Sequence, residues 1–251
     1  MRLHEIELYR VYNDPIYKQY KTAIDYAINK YVTTGAAIYK GSKNYDREKL
    51  TVRDPMSFAD PRRSRNTSNY YTEWVDNSPK WSQFPKRSRS LICTSDKVYA
   101  SGYGQIAVVV PIVDTTVGVC PDNDWWNSFR KQSPRYTTAD DVNGYVHEVL
   151  KSNDIFLNGR TVTYSQFIEP LKTADLKKAV IPPHELYGPL HKQALELGSL
   201  YALMDHIFDP AANEFSLTSW KQYSVIGEHE VWLSAPCVMV PMYTWTQLVN
   251  S

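Results

Sequence analysis

The sequence lacks the long apolar stretches and the charge imbalance that mark membrane proteins and strongly basic or acidic proteins. No run of about 18 apolar residues occurs, so a transmembrane helix is not expected. The N-terminal residues Met1 to Glu5 contain no apolar segment of the kind found in a secretory signal. The formal net charge is +1, which gives the chain no overall attraction to nucleic acid or to an anionic membrane. These absences predict a cytoplasmic protein with no membrane partner.

Cysteine and histidine are too sparse to suggest a disulfide framework or a metal site. The three cysteines, Cys93, Cys120 and Cys237, are odd in number and widely separated, and no C-x-x-C pair exists. The six histidines include no pair at His-x-x-x-His spacing, and we therefore predict that the protein uses no metal. The glycine-rich loop of a P-loop nucleotide site and the G-x-S-x-G turn of a serine hydrolase are absent as well.

Aromatic residues are abundant, and most of them carry a polar group. The chain has 19 Tyr and 7 Trp beside only 7 Phe. Such rings suit half-buried positions, which include the border of a core and the wall of a ligand site. Hydrophobic residues make up 43% and charged residues 22% of the chain, as in an ordinary globular protein.

The hydrophobic pattern predicts helices and strands in an irregular order. A helix is expected from Asp14 and Pro15, as N-cap and first helical residue, to a stop at Gly35. Other helices are expected at 96–104, 138–150, 165–180 and 184–208, and strands at 6–11, 90–95, 105–110, 117–120, 228–240 and 242–248. This order predicts one α+β domain over 1–251, with an N-terminal extension over 1–60 and a helical insertion at about 138–210.

The segment from 40 to 89 is polar and basic, and it contains an internal echo. Residues 61–65, Pro-Arg-Arg-Ser-Arg, recur as Pro-Lys-Arg-Ser-Arg at 85–89. A loop of this length inside a compact domain usually serves a function. The arginines suit either a phosphate group of a ligand or, with neighbouring aromatic rings, a surface that binds nucleic acid. Those rings are Tyr70, Tyr71, Trp74 and Trp81.

Two further motifs follow the basic segment. Cys93-Thr94-Ser95 ends a predicted strand and is followed by Ala100 and Tyr103-Gly104, whereas Glu228-His229-Glu230 opens the last β region. Together with the arginines, these motifs resemble the Arg–Ser–Glu class of ADP-ribosyltransferases. That family carries an Arg on its first core strand, a Ser-Thr-Ser-like strand and an E-x-E near its C-terminal strands. Here Cys93 stands in the place of the first Ser.

The resemblance implies a fold, an activity and a set of site residues. The expected fold is an α+β protein with a split, mixed β-sheet core that holds NAD between two small sheets, with added peripheral helices. The expected activity is transfer of ADP-ribose from NAD, with Glu230 catalytic and Glu228 activating the acceptor. The resemblance also implies that Thr94 and Ser95 support these carboxylates, that Arg63 or Arg65, or alternatively Arg87 or Arg89, binds NAD, and that Tyr103 or Tyr223 stacks on nicotinamide.

The chemistry of NAD explains why these residue types are needed. An Arg forms charge-assisted hydrogen bonds to the pyrophosphate, and a carboxylate stabilises the oxocarbenium-like state at the ribose. Carboxylates at i and i+2 of an extended segment lie on the same side. The resemblance further implies, through the E-x-E motif, an arginine of a protein as acceptor, with nucleic acid or a small molecule as alternatives. Residues 85–104 resemble bacteriophage proteins, which implies a bacterial host protein as acceptor and the host cytoplasm as location.

Two competing hypotheses stay open at this point. One is a nucleic-acid-binding protein that uses the basic and aromatic surface of residues 61–89. The other is a virion-associated protein with a degenerate, catalytically inactive transferase fold. Binding that weakens strongly with salt, without NAD turnover, would favour the first.

Overall fold

The computed structural model of the chain describes residues 3–63, 68–134 and 137–251, and Arg65 lies outside these ranges. The described residues form helices and one β-sheet, so the α+β class is confirmed. The helices are α1 (Leu3–Asn13), α2 (Pro15–Thr34), α3 (Tyr70–Asn77), α4 (Lys97–Ser101), α5 (Ala139–Ser152), α6 (Tyr164–Thr173), α7 (Tyr187–Leu197), α8 (Leu200–Ile207) and α9 (Met242–Val249). The strands are β1 (Tyr39–Ser42), β2 (Thr51–Arg53), β3 (Leu91–Thr94), β4 (Gln105–Pro111), β5 (Thr116–Val119), β6 (Ser216–Ser219), β7 (Glu230–Leu233) and β8 (Cys237–Pro241).

The eight strands of the described residues form a single sheet in the order β2-β8-β4-β1-β3-β7-β5-β6. In this order, each pair of neighbouring strands from β2 at the edge of the sheet as far as β5 is antiparallel. The expected split into two small, mixed sheets is therefore wrong for this part of the chain. The physical reason is β1, which pairs with β3 on one side and with β4 on the other and so joins the two halves.

The chain divides into two compact units. Unit 1 comprises residues 1–60, 89–119 and 217–251, and unit 2 comprises residues 61–88 and 120–216. The predicted helical insertion falls within unit 2, whereas the first 60 residues supply β1 and β2 to the sheet. The organisation of the chain as one domain stays a prediction.

Unit 1 packs α2 and α9 against β4 and β8. As predicted, Asp14 caps α2 by accepting from the Ile16 N–H at 2.7 Å, and Gly35 ends the helix in a left-handed conformation (φ 74°). Ile24 and Ala27 of α2 are buried in a core shared with Val109 and Val240 of the sheet. This amphipathic arrangement is what the hydrophobic pattern predicts.

Two predicted strands of unit 1 are helices instead. Residues 6–11 lie in α1, which contacts α2 and α9. Residues 242–248 lie in α9, where the buried side chains Thr244, Trp245 and Leu248 follow helical spacing. Pro241 ends β8 because it has no N–H to continue the ladder. Both segments are short and apolar, and periodicity alone does not separate helix from strand in such segments.

Unit 2 is helical and has an aromatic core. Trp125 and Phe129 lie 4.5 Å apart between ring centroids, and Phe208 and Phe215 contact Phe129 at 4.7 and 5.2 Å. The predicted capping box of α5 is present at Thr138 and Asp141. The predicted helix at 184–208 is two helices, α7 and α8, because Gly198 adopts a φ of +90° and the Ser199 hydroxyl then caps α8.

The Lys40–Arg89 segment, which the sequence suggests is a long loop, contains β2, α3 and short 3-10 turns. Arg62 of the first echoing piece lies beside the second piece, since its N–H donates to the Ser88 carbonyl at 2.8 Å. Among the helices that the structure describes, none has both the length and the apolar character needed to cross a bilayer.

Candidate functional site

Strands β3 and β7 of unit 1 bring two of the sequence motifs together. Their antiparallel register pairs Leu91 with Leu233, Ile92 with Trp232, Cys93 with Val231, and Thr94 with Glu230. Because side chains alternate along a strand, each pair contributes to one face of the sheet. The core face carries Leu91, Cys93, Val231 and Leu233, which belong to the hydrophobic core. The opposite face, here called the site face, carries Ile92, Thr94, Glu230 and Trp232.

The predicted hydroxyl-bearing strand meets the predicted carboxylate at Thr94. Thr94 is buried, and its Oγ1 accepts from the Asp96 N–H at 3.0 Å. Cys93 lies on the core face, with its Sγ 3.7 Å from the Leu91 carbonyl oxygen. The departure from Ser at position 93 therefore removes no hydroxyl from the site face. Thr94 is the residue of Cys93-Thr94-Ser95 that is paired with Glu230.

Ser95 fixes the chain that leads into β7. Its N–H donates to the His229 carbonyl at 3.0 Å, its hydroxyl donates to the Gly227 carbonyl at 2.7 Å, and the same oxygen accepts from the His229 N–H at 3.0 Å. Gly227 has a φ of +114°, which a residue with a side chain rarely adopts. The glycine permits the bend, and Ser95 holds it in place next to Glu230.

The two carboxylates of the E-x-E motif have different surroundings. Glu230 is only 8% exposed, and its Oε1 accepts from the Trp232 indole N–H at 2.6 Å. Glu228 is exposed and lies in the bend before β7, which begins at Glu230. The argument that both carboxylates lie on the same side of an extended segment therefore does not apply, because the segment is not extended at Glu228.

The neighbouring strand β1 contributes a basic residue, Lys40, which follows Tyr39, the β1 residue paired with Thr94. The Lys40 ammonium donates to the carbonyl oxygen of Ile92 at 2.5 Å, two residues before Thr94. The next residue, Gly41, permits close packing, since a Cβ there would lie 1.9 Å from the Ala100 carbonyl oxygen. Lys40 was not among the predicted site residues.

The predicted arginines occupy other positions. Arg63 is exposed and Arg87 is buried, and both belong to unit 2, where the Arg87 guanidinium lies 5.1 Å from the Trp125 ring centroid. Arg89 donates to the Phe58 carbonyl at 2.6 Å and precedes β3 at Leu91, the end opposite to the Thr94–Glu230 pair. Arg65 lies outside the described residues. Among the described arginines, none is on the first strand of the sheet, which carries Lys40 instead.

The two tyrosines that were predicted to stack on nicotinamide, Tyr103 and Tyr223, have different surroundings. Tyr103 is 57% exposed and packs edge-on against Tyr99 with ring centroids 5.7 Å apart. Tyr223 is fully buried in the hydrophobic core, where burial raises the pKa of its hydroxyl well above the ordinary value. Its ring therefore cannot stack on nicotinamide in this conformation.

The rings proposed for a nucleic-acid surface are also inside the protein. Four residues, Tyr70, Tyr71, Trp74 and Trp81, have at most 2% of their surface exposed. Burial raises the pKa of the Glu73 carboxyl, and the nearby charges of Arg63 and Lys86 oppose that rise, so this acidic group balances part of the basic cluster. The prediction that these four rings belong to an exposed nucleic-acid-binding surface is therefore wrong.

The sequence carried signals for the residues that were missed. Lys40-Gly41 is a basic residue followed by a glycine at the start of the first strand, and glycine inside a strand often marks a close approach. Trp232 follows Glu230 by two residues, and the strand period alone places both on one face. Neither signal identifies the neighbouring strand. The neighbouring strand determines which residues these side chains contact.

The cysteines Cys93, Cys120 and Cys237 are buried thiols. Within the described ranges, no group of three or more His, Cys, Asp or Glu side chains could hold a metal ion. No protein-family model, curated protein or solved structure matches the chain. The candidate site therefore depends on its own geometry and on the resemblance of its motifs.

Proposed function

We propose that the protein transfers ADP-ribose from NAD to a macromolecular acceptor and releases nicotinamide. The observation that carries this proposal is the order of three adjacent strands, β1, β3 and β7, which bear Lys40, Thr94 and Glu230. A cationic strand, a hydroxyl strand and a carboxylate strand are the parts that the resemblance calls for. These strands come from distant parts of the sequence, and the sheet places them side by side.

The chemistry assigned to Glu230 follows from its position. In the proposed reaction, the bond between the ribose anomeric carbon and the nicotinamide nitrogen breaks, and its electron pair leaves with nicotinamide. The ribose then carries developing positive charge, which a nearby carboxylate stabilises. Glu230 suits this role because it is largely removed from water, where its interaction with a positive charge is stronger.

The acceptor step is assigned to Glu228. A nucleophile of the acceptor bonds to the anomeric carbon and loses a proton, and a carboxylate within reach takes that proton. Glu228 is exposed in the bend before β7, where a macromolecule has access to it. An arginine side chain of a protein is the preferred acceptor, as the E-x-E motif implies by resemblance.

Lys40 takes the place that the family gives to an arginine. An ammonium is a compact point charge, whereas a guanidinium presents a planar fork that binds two phosphate oxygens at once. Lys40 is already oriented by the Ile92 carbonyl of β3, so it supplies one directed cation on the strand beside β3. This makes Lys40, rather than Arg63, Arg65, Arg87 or Arg89, our choice for the pyrophosphate of NAD.

The proposal is tested with two matched variants, Glu230→Gln and Glu228→Gln. They make the same chemical change at residues that are two positions apart in the chain. Nicotinamide release from NAD is measured by chromatography, and label transfer is measured with labelled NAD and bacterial lysate. We expect Glu230→Gln to lower both activities by about a hundredfold or more. Glu228→Gln should keep nicotinamide release, with water as acceptor, and lose transfer.

Circular dichroism and thermal unfolding serve as the control that both variants fold. Equal nicotinamide release by the wild type and by folded Glu230→Gln would remove Glu230 from the mechanism. A wild-type chain that neither binds NAD nor releases nicotinamide would overturn the proposed function itself.

A further inference from the structure

The indole of Trp232 makes a directed contact with the carboxylate of Glu230. Both side chains extend from the same face of β7, and the Trp232 Nε1–H donates to Glu230 Oε1 at 2.6 Å. The Trp232 side chain is fully buried. An indole N–H can only donate a hydrogen bond, so Trp232 is the donor and the Glu230 carboxylate is the acceptor.

The strands beside β7 fix the indole. Trp232 pairs with Ile92 of β3 on one side and with Gly118 of β5 on the other. Gly118 has no side chain to compete for the space next to a large ring. Because buried side chains settle into a single rotamer under close packing, the indole N–H is held in one direction. A hydrogen bond from a fixed donor to a carboxylate is short and strongly directional.

We infer that Trp232 is a positioning residue that holds the Glu230 carboxylate in its working orientation. The contact itself is independent of any activity, but its catalytic consequence rests on the proposed function. A carboxylate that rotates freely spends only part of its time facing a developing positive charge, and preorganised groups stabilise a transition state better than mobile ones. Trp232 touches neither NAD nor the acceptor in this scheme and acts through Glu230.

The test compares Trp232→Phe with the matched control Trp245→Phe. Both positions are buried tryptophans of unit 1, and Trp245 Nε1 has no hydrogen-bond partner among the residues that the structure describes. Both changes remove similar volume, but only the first removes a donor to Glu230. We expect Trp232→Phe to lower kcat for nicotinamide release by roughly 10- to 100-fold, with the KM for NAD within about threefold of wild type. Trp245→Phe should leave both constants within about threefold.

A second measurement needs no substitution at position 232. In the chain labelled with ¹⁵N-tryptophan, the Trp232 indole N–H resonance should move on Glu230→Ala and should not move on Glu228→Ala. This experiment decides the contact even if Trp232→Phe does not fold. An indole resonance that does not respond to Glu230→Ala would overturn the inference.

The outcomes separate this inference from the proposed function. If the wild type releases nicotinamide and folded Trp232→Phe keeps its kcat, the positioning role is wrong and the proposed function stands. A rise in KM alone would also contradict the positioning role, because it would place Trp232 in substrate binding. If the wild type releases no nicotinamide, both the proposed function and the catalytic role of Trp232 are overturned.

Discussion

The core face and the site face of the β3–β7 pair consist of alternate residues of the same two strands, yet only the site face carries a carboxylate and a hydroxyl. The core face pairs Leu91 with Leu233 and Cys93 with Val231, all of them buried among apolar neighbours. The site face pairs Thr94 with Glu230, a hydroxyl beside a carboxylate. Because successive side chains of a strand point to opposite faces, one short pair of strands can carry both kinds of face.

This comparison teaches how the sheet can hold a nearly buried carboxylate. Burying a charged group costs free energy unless its hydrogen bonds are satisfied. The core face contributes apolar burial, which favours folding, and the site face supplies a donor to Glu230 from Trp232. Changes on the core face should therefore act on the free energy of unfolding, and changes on the site face should act mainly on activity.

The largest expected effect comes from Leu233→Ala on the core face. Leu233 is fully buried, and truncation of such a side chain lowers the free energy of unfolding by about 2–5 kcal/mol, because apolar contacts are lost and a cavity remains. Urea denaturation measures the loss. At a temperature where the variant is folded, kcat for nicotinamide release should stay within about threefold of wild type.

The control for Leu233→Ala is Ile92→Ala on the site face, where the side chain is only half-buried. It should cost less stability than Leu233→Ala, since less apolar surface returns to water. A larger loss from Ile92→Ala, or a loss of kcat in folded Leu233→Ala, would contradict the separation of the two faces.

A smaller effect is expected from Cys93→Ser, which restores the residue that the motif suggests. Because Cys93 faces the core, the new hydroxyl would be buried among apolar groups and should lower the free energy of unfolding by about 1–3 kcal/mol. Nicotinamide release should not rise. Differential scanning calorimetry and a turnover assay check both parts, and increased activity would show that position 93 belongs to the site after all.

Much of this fold follows from local patterns in the sequence. The caps at Asp14 and Gly35 define α2, and the apolar runs at 90–95 and 105–110 correspond to β3 and β4. The pattern fails at α1 and α9, which are short helices. It also fails at Gly198, which ends α7 where one helix over 184–208 is predicted, because a single glycine inside an apolar helical pattern can be tolerated or can end the helix.

The candidate site was predictable only in part. The spacing of the motifs pointed to Thr94, Ser95, Glu228 and Glu230, and the structure places Thr94 and Ser95 beside the segment 227–230. The role that we propose for Lys40 was not predictable, because the repeated arginines at 61–65 and 85–89 were the conspicuous basic residues of the sequence. Which strand lies next to β3 depends on the pairing of distant segments, and local sequence does not encode that directly.

The conspicuous basic cluster illustrates the same difficulty. From the sequence alone, Arg87 is one of several equivalent basic residues. In unit 2 Arg87 is buried, and its guanidinium lies against the neighbouring rings of Tyr71 and Trp125, at 5.6 and 5.1 Å from their centroids. Arginine stacks on aromatic faces in this way. A motif of repeated charges thus contains residues of quite different roles.

The smallest effect on stability and the sharpest test of the site face come from Thr94. Thr94→Val keeps the shape of the side chain and removes the oxygen that accepts from the Asp96 N–H, so the free energy of unfolding should fall by only about 1 kcal/mol. The control Thr94→Ser keeps the hydroxyl. If the hydroxyl opposite Glu230 supports that carboxylate, nicotinamide release should fall about tenfold or more in Thr94→Val and stay near wild type in Thr94→Ser. Equal activity of the two variants would mean that Thr94 serves only the turn into α4, and the distinction between the two faces would then depend on Glu230 and Trp232 alone.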